Sequence, residues 1–138
     1  MMMGWIAMVA LAADPAVTTI ARGPMSAVSE SKQTVARSAA EWNTLWKAHA
    51  ATQPVPDVDF TANMVAAIFL GCQPTGGFSV EMTGTRRDGD ALVIEYVERR
   101  PGRRDIVSQV LTSPFHIVKL PRHDGPVRFE KQTDSGQR

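Results

Sequence analysis

An uninterrupted apolar run, MVAAIFL, occupies residues 64–70 and is the strongest structural signal in the chain. A strand with one solvated face alternates apolar and polar residues, whereas a strand covered on both faces does not. We therefore predict a buried strand here, with other layers against both of its faces. Residues 71–77 then hold three glycines and a proline, which predicts a tight loop, and an alternating strand begins at Phe78. We expect the core to form around these two strands and the functional surface to lie near the loop.

Size and charge restrict the classes of protein to which the chain can belong. A chain of 138 residues with 43% hydrophobic residues can bury one core, so we predict one domain. Its net charge of +1 supplies no general attraction to nucleic acid or to a membrane, and we expect no nucleic-acid partner. The single cysteine, Cys72, excludes an internal disulfide.

Residues 1–24 are interpreted as a signal-like apolar segment and a connector. Trp5 begins an apolar stretch that ends in small residues up to Ala13, which resembles the hydrophobic region and cleavage site of a secretory signal. The usual positive region is missing, because the first Lys or Arg is Arg22. Two interpretations stay open: an export signal, or a frayed or membrane-adjacent tail. The stretch is too short to span a membrane, and we expect a secreted, periplasmic or cell-envelope location.

One amphipathic helix is predicted after residue 38. Ser38 and Glu41 form a capping box at its start. We expect His49, in the last turn, to be favoured there by the helix dipole when it is charged. In the connector that follows, we interpret Asp57 and Asp59 as caps of loop amides rather than as metal ligands. The residues at helical spacing, which should form the buried stripe, are Trp42, Leu45, Trp46 and His49.

Most of the remaining chain is predicted as antiparallel strands. Residues 25–37 indicate a short hairpin turning at residues 31–32, or alternatively one bent strand. Residues 78–87 and 91–99 indicate a hairpin centred on Gly89, which would pair Met82 with Tyr96 and Gly84 with Ile94. Further strands are predicted at residues 106–111, 115–120 and 127–129, with a disordered tail at residues 131–138. The predicted fold is a single α+β domain at residues 25–130, a mostly antiparallel β-sheet with one main helix packed on it.

The predicted hairpin brings two loops to the same end of the sheet. Its second strand ends in the sequence RRPGRR at residues 99–104, which returns beside Gly77. Arginine is enriched at protein interfaces, so the two loops make a candidate binding site for a protein partner. The alternatives are a purely structural turn and a solvated arginine loop. The candidate partner-binding residues are Pro74, Thr75, Gly76, Gly77, Phe78, Arg99, Arg100, Arg103 and Arg104.

Signatures of catalysis, metal binding and cofactor binding are not found in the sequence. No pair of the three histidines has the spacing of metal ligands, and no G-x-S-x-G motif is present. Cys72 is expected to be a small buried hydrophobe at the end of a strand, and Glu81 and Glu95 to lie on the solvated face of the hairpin. The loop at residues 73–77 lacks the lysine and the following helix of a phosphate-binding loop. We therefore predict no catalytic residues, no metal, no cofactor and no enzymatic activity, and the oligomeric state stays open.

Several of these segments together are similar to the PrcB C-terminal domain family. That family takes its name from a bacterial envelope protein that is an accessory subunit of a surface protease complex and is not itself the protease. The resemblance implies a non-enzymatic role, in which the chain binds or stabilises a protease or its proregion. The residues that carry it are VAAIFLG at residues 65–71, PTGGFSV at residues 74–80, LTSPFHIVKLPR at residues 111–122 and PVRF at residues 126–129, with Glu41-Trp42 and Leu45-Trp46 earlier.

A shorter likeness connects the same two loops to protease inhibition. The sequence PTGGF at residues 74–78 is similar to the NPTTG[YF] loop of chagasin-type inhibitors of cysteine proteases, and Arg100-Pro101 to their RPW loop, although the tryptophan is absent. In those inhibitors, loops at one end of a β-sandwich plug the protease cleft. A binding module is our leading hypothesis, an inhibitor is the alternative, and a small enzyme with an unrecognised site is the third. A pocket where His116 and carboxylates converge would support the third.

Overall fold

The computed structural model describes residues 17–133, which build three layers: a helix, a four-stranded sheet and a three-stranded sheet. The elements in chain order are β1 (Thr18–Gly23), β2 (Ser31–Ala36), α1 (Ala39–Ala50), β3 (Asn63–Leu70), β4 (Ser79–Asp88), β5 (Ala91–Arg99), β6 (Phe115–Pro121) and β7 (Val127–Lys131). The four-stranded sheet has the order β1-β6-β3-β2, and the three-stranded sheet has the order β4-β5-β7.

Strand β3 is buried on both faces, as its apolar run predicts. Met64, Ala66 and Ile68 face the three-stranded sheet and pack in the core between the two sheets. Val65, Ala67 and Phe69 alternate with them and pack against the helix layer. All six side chains are at most 2% exposed. A strand in the middle layer has no solvated face, and its sequence therefore shows no alternation.

The single α+β domain with one packed helix is confirmed, although the strands form two sheets instead of one. Every strand pair in the described residues is antiparallel except the pair of β5 with β7. Strands β3 and β4 follow each other in the chain, but β3 belongs to the four-stranded sheet and β4 to the three-stranded sheet. The loop between them crosses from one sheet to the other at the end of the domain.

Helix α1 begins and packs as predicted. The side chain of Ser38 accepts from the N–H of Glu41 over 3.2 Å, and Glu41 Oε1 accepts from the N–H of Arg37 over 2.7 Å. The reciprocal half of the capping box thus reaches one residue earlier than the usual pattern. The predicted stripe is buried against the four-stranded sheet: Trp42, Leu45, Trp46 and His49.

The hairpin of β4 and β5 is present, but a β-bulge changes its register. Met82 pairs with Tyr96 as predicted, whereas Gly84 pairs with Glu95 and not with Ile94. Thr83 is the extra residue that the bulge accommodates. The predicted apolar face of the hairpin is kept, because Val80 and Met82 come before the register shift. Both side chains pack in the core between the sheets. Phe78 is half-buried and lies before β4 begins.

Three predictions about the outer strands were wrong. Residues 18–23, predicted as connector, form β1 and pair with β6. Residues 25–37 form no hairpin, because β2 pairs with β3 instead. Residues 106–111 form no strand, since they lie across the end of the domain and only Thr112 makes a bridge, to Gln73.

The two ends of the chain bear on the predicted domain limits. Strand β7 continues to Lys131, into the predicted tail. Residues 1–16, which hold most of the signal-like segment, and residues 134–138 lie outside the described part of the chain. No helix within residues 17–133 is long and apolar enough to cross a membrane.

Candidate functional site

The loop between β3 and β4, residues 71–78, is held in place by backbone hydrogen bonds, and we call it the glycine loop. Gln73 and Thr112 exchange two of these bonds, at 2.7 and 2.9 Å. The N–H of Gly76 donates to the carbonyl of Ser108 over 3.0 Å, and the hydroxyl of Thr112 donates to the carbonyl of Thr75 over 2.8 Å. The glycine loop is therefore fixed against residues 108–112 and does not stand free in solvent.

Gly77 explains why this loop contains glycine at its end. Its φ angle is +90°, a conformation that side chains rarely adopt. A Cβ atom there would lie 2.9 Å from Pro101 Cβ and 2.9 Å from Val107 Cγ1. The contact with Pro101 confirms the predicted proximity of the arginine-rich loop, which follows from the pairing of Ser79 with Arg99.

The candidate loop residues differ in their exposure. Pro74 and Gly77 are exposed, whereas Thr75, Gly76 and Phe78 are half-buried. A partner would therefore contact a rigid and nearly flat surface, because the glycine loop does not project from the domain. Such a surface loses little conformational entropy on binding, because its backbone is already ordered.

The arginine-rich loop is ordered by its own turn. Gly102 donates its N–H to Asp105 Oδ2 over 2.7 Å, and Asp105 donates its N–H back to the carbonyl of Gly102 over 3.1 Å. Arg103 and Arg104 occupy the turn and are exposed, as is Arg100. Arg99 differs, because its Nη1 donates to Glu81 Oε1 over 3.2 Å on the hairpin face.

Exposed apolar side chains at this end were missed by the sequence analysis. Ile106 is fully exposed, and Leu111 and Val110 are 65% and 57% exposed. Met25 is 60% exposed and forms a bridge with Ser113, two residues after Leu111. The sequence pattern predicted a strand at residues 106–111. The polar pair Ser108-Gln109 inside the run was the available signal against burial. We call the four side chains, Met25, Ile106, Val110 and Leu111, the apolar patch.

Two residues with reactive side chains occupy places other than those predicted. Cys72 is exposed, not buried, because it lies beyond the end of β3. His49 is buried among aromatic rings, with its ring centroid 4.2 Å from that of Phe115, and its Nδ1 lies 2.7 Å from the hydroxyl of Ser26. Burial lowers the pKa of His49, so the ring is neutral at pH 7 and does not act as a charged partner of the helix dipole.

His116 lines a cavity together with Glu81 and Glu95, the arrangement that would favour an enzyme. Its two ring nitrogens are both engaged, however. Nδ1 accepts the backbone N–H of Met82 over 2.9 Å, and Nε2 lies 2.8 Å from the hydroxyl of Thr19. Burial, with a smaller effect of the Arg22 charge, lowers the pKa of His116 to about 4. The ring therefore links strands and offers no free nitrogen as a general base.

The carboxylates of the hairpin are paired with arginines on its outer face. Glu95 Oε2 accepts from Arg86 Nε over 3.0 Å, and Arg86 also donates to Glu130 over 2.6 Å. Glu81 is bound by Arg99, as described above. The predicted capping role is confirmed for Asp59, whose Oδ1 accepts from the N–H and the hydroxyl of Thr61. Among residues 17–133, no three His, Cys, Asp or Glu side chains are grouped as metal ligands.

Comparison with known proteins supports the sequence resemblance. The PrcB C-terminal family matches residues 64–121, which run from β3 through the glycine loop and the hairpin to the end of β6. No curated protein and no solved structure matches the chain. The helix motif at residues 41–46 and the sequence PVRF lie outside the matched segment. The resemblance is thus confirmed over residues 64–121, where the chain matches the PrcB C-terminal family.

Proposed function

We propose that this chain is a non-enzymatic binding module that associates with a protease or its proregion through one end of the domain. The binding surface combines the glycine loop, the arginine-rich loop and the apolar patch. The observation that carries the proposal is the apolar patch. Several solvent-exposed apolar side chains within one short segment, such as Ile106 and Leu111, are typical of a protein interface.

Charge at the same end supports a protein partner. Arg103 and Arg104 are exposed beside the patch, and arginine combines an apolar stem with a planar charged group that forms paired hydrogen bonds. The partner surface should therefore carry an apolar centre with acidic residues around it. The family match supports the identity of the partner class, since the PrcB family is associated with a protease complex.

Export is part of the proposal. The apolar stretch and small residues within residues 1–13 support delivery to the cell envelope or beyond it. A surface protease complex assembles in that compartment. Fractionation of cells that express the chain at its native level would test this part: recovery in the cytosolic fraction alone contradicts it.

A protease inhibitor is the second candidate, and one contact favours it. Pro101, in the short Arg100-Pro101 likeness to the chagasin-type loops, lies against Gly77 of the PTGGF loop. The PTGGF loop and the Arg100-Pro101 loop are therefore adjacent. An inhibitor that inserts two loops into the cleft of a protease requires this arrangement. An inhibitor and a stabilising subunit would use the same surface, and they differ in their effect on the protease.

The test is co-purification of exported proteases with the tagged full-length chain. Truncation at residue 25 is unsuitable, because it would remove β1 from the four-stranded sheet. The binding variant is Ile106→Asp with Leu111→Asp, since both side chains are exposed and the changes disturb no packing. The matched control is Asn43→Asp, an equally surface-exposed change on α1.

We expect a protease to bind the native chain and the control but not the double variant. Peptidase activity of the purified complex then separates the two candidates: longer-lived activity indicates a stabilising subunit, and lost activity indicates an inhibitor. Equal binding by the double variant would contradict the proposed surface. Absence of any protease among the bound proteins would contradict the proposed function.

A further inference from the structure

Strand β2 forms one edge of the four-stranded sheet, and its outer side has no neighbouring strand within residues 17–133. Its register with β3 runs without a shift, and the strand contains no proline and one charged residue, Lys32. The other sheet edges carry features that discourage pairing with another chain: register shifts in β1 and β4, and three charged residues among the five of β7. Strand β2 is therefore the edge best suited to accept a further strand.

The backbone groups that β2 offers belong to every second residue. The N–H of Leu70 donates to the carbonyl of Pro114 over 3.0 Å, on the side of β6, so Leu70 does not donate to the residue opposite it on β2, Ser31. Because hydrogen bonding alternates along an antiparallel ladder, Gln33 and Val35 share the orientation of Ser31. The N–H and carbonyl groups of these three residues therefore point away from β3, toward the open side.

A groove of about 430 Å³ runs beside this edge, between β2 and α1. Its helix side is lined by Ala40, Thr44 and Ala48, which recur every fourth residue and are all exposed. Such small side chains leave room for a second helix to approach α1. A strand added to β2 that carries its own helix would therefore cover the groove.

The two ends of the groove carry opposite charges. Lys32 lines it near the beginning of β2, and Glu41 lines it in the first turn of α1, just after β2 has ended. Neither side chain forms an ion pair in the described part of the chain. Glu41 Oε1 accepts the N–H of Arg37, and its second oxygen has no protein donor there. An antiparallel copy of this edge would reverse the two ends and bring each Lys32 toward the Glu41 of the other copy.

We propose that two copies of the chain associate through β2 and join their four-stranded sheets into one continuous sheet. The two β2 strands run antiparallel about a two-fold axis, with Thr34 opposite Thr34 and Lys32 opposite Ala36 of the second copy. In this register Gln33 of each copy exchanges backbone hydrogen bonds with Val35 of the other. Both α1 helices then lie on the same face of the joined sheet.

The dimer leaves the proposed protease-binding surface open. The glycine loop follows Leu70, which pairs with Ser31 at the beginning of β2. The antiparallel arrangement places these beginnings at opposite ends of the joined sheet. Dimerisation does not rest on the proposed function, but together with it the dimer presents two protease-binding surfaces.

The test is sedimentation velocity of the full-length chain over a range of concentrations, with two charge reversals. Lys32→Glu places two carboxylates at each contact, and Glu41→Lys places two ammonium groups there. In a mixture of the two variants, a mixed dimer regains an attractive pair at both contacts. The control is Lys47→Glu, because Lys47 is exposed on α1 and does not line the groove.

We expect a dimer for the native chain and for the control. Each reversal alone should weaken dimerisation about tenfold or more, because two contacts change from attraction to repulsion. The mixture should recover the dimer, which also shows that both variants are folded. A native chain that stays monomeric at every concentration would overturn the proposal and leave the edge to a strand from another source. Dimerisation that both reversals leave unchanged would overturn it as well, since the interface would then lie elsewhere.

Discussion

The backbone N–H of Met82 donates to Nδ1 of His116 over 2.9 Å, and this bond joins the two sheets. Since Nδ1 is the acceptor, the ring proton lies on Nε2, which donates to the hydroxyl of Thr19 over 2.8 Å. One neutral imidazole thus connects β6 to β4 and to β1. The edge of β4 would otherwise leave this N–H without a partner strand.

Replacing His116 by alanine should destabilise the domain by about 2–4 kcal/mol, because it opens a cavity and leaves the N–H of Met82 unpaired. Urea denaturation followed by tryptophan fluorescence measures the change. His116→Asn is the matched control, since its side-chain oxygen can take the acceptor position of Nδ1. We expect a smaller loss for the asparagine variant. An alanine variant as stable as the native chain would show that the link contributes nothing.

Stability should fall in mild acid through the same residue. The pKa of His116 is lowered to about 4 in the folded chain, below its ordinary value of 6.5. The unfolded chain therefore binds the proton more tightly, and stability is complete above about pH 6.5 and declines as the pH falls toward 4. The expected loss between pH 7 and pH 4 is on the order of 3 kcal/mol.

Denaturation curves across this range check the effect, with His116→Asn as the comparison. The variant lacks the titrating ring, so its stability should decline less steeply between pH 6.5 and pH 4. His49 contributes in the same direction, because burial lowers its pKa, and this contribution remains in the variant. Identical pH profiles for both proteins would refute the assignment of the acid sensitivity to His116.

Gly77→Ala should destabilise the domain by about 2–3 kcal/mol, because the new Cβ combines a positive φ with close contacts to Pro101 and Val107. Gly84→Ala is the control, since its Cβ would meet open space. We expect a change below about 0.5 kcal/mol for the control. Thermal unfolding measures both variants. Equal unfolding temperatures would mean that the glycine loop accommodates a Cβ atom at residue 77 without loss of stability.

Local signals in the sequence determined most of the correct predictions. The apolar run of β3 indicates its two buried faces, and Ser38 with Glu41 indicates the start of α1, because these patterns involve only neighbouring residues. The pairing of β1 with β6 could not be predicted, since Thr18 and Lys119 are distant in the chain. Their contact depends on which strand forms the edge of the four-stranded sheet. The bulge at Thr83 could not be predicted either, and it follows Met82, whose N–H donates to the distant His116.

The part of the candidate site that depends on neighbouring residues could be predicted, and the part that depends on distant contacts could not. The hairpin register placed the arginine-rich loop beside Gly77, since pairing across one turn follows from the turn itself. Ile106 and Leu111 were misplaced, because apolar residues indicate a strand only when a neighbouring strand is available to pair with them. The roles of the candidate binding residues remain proposals.

Ser38→Ala should cost about 1 kcal/mol, because the N–H of Glu41 loses the side-chain oxygen that caps the helix. Thr44→Ala is the control: it is exposed on the same helix, and its hydroxyl bonds only to the carbonyl of Ala40. We expect the control to be within about 0.5 kcal/mol of the native chain. Chemical denaturation measures both, and a control that loses more than the cap variant would contradict the capping role.

Arg122→Gln should destabilise the domain by about 1–3 kcal/mol, because its guanidinium joins three segments of the chain. Nη1 donates to the carbonyl of Phe60 over 2.9 Å and to that of Arg37 over 3.3 Å, while Nε binds Asp124 Oδ1 over 2.7 Å. The two carbonyls precede β3 and follow β2, so the side chain fixes both strands at the end of β6.

The exposed Arg103 provides the matched control for this prediction. Arg103→Gln removes the same charge from a surface turn, and its free energy of unfolding should stay within about 0.5 kcal/mol of the native value. Urea denaturation at two salt concentrations separates the contributions of Arg122. The pair with Asp124 is screened by salt, whereas the bonds to the carbonyls are much less sensitive. If high salt abolished the whole difference, the carbonyl bonds would not be the cause.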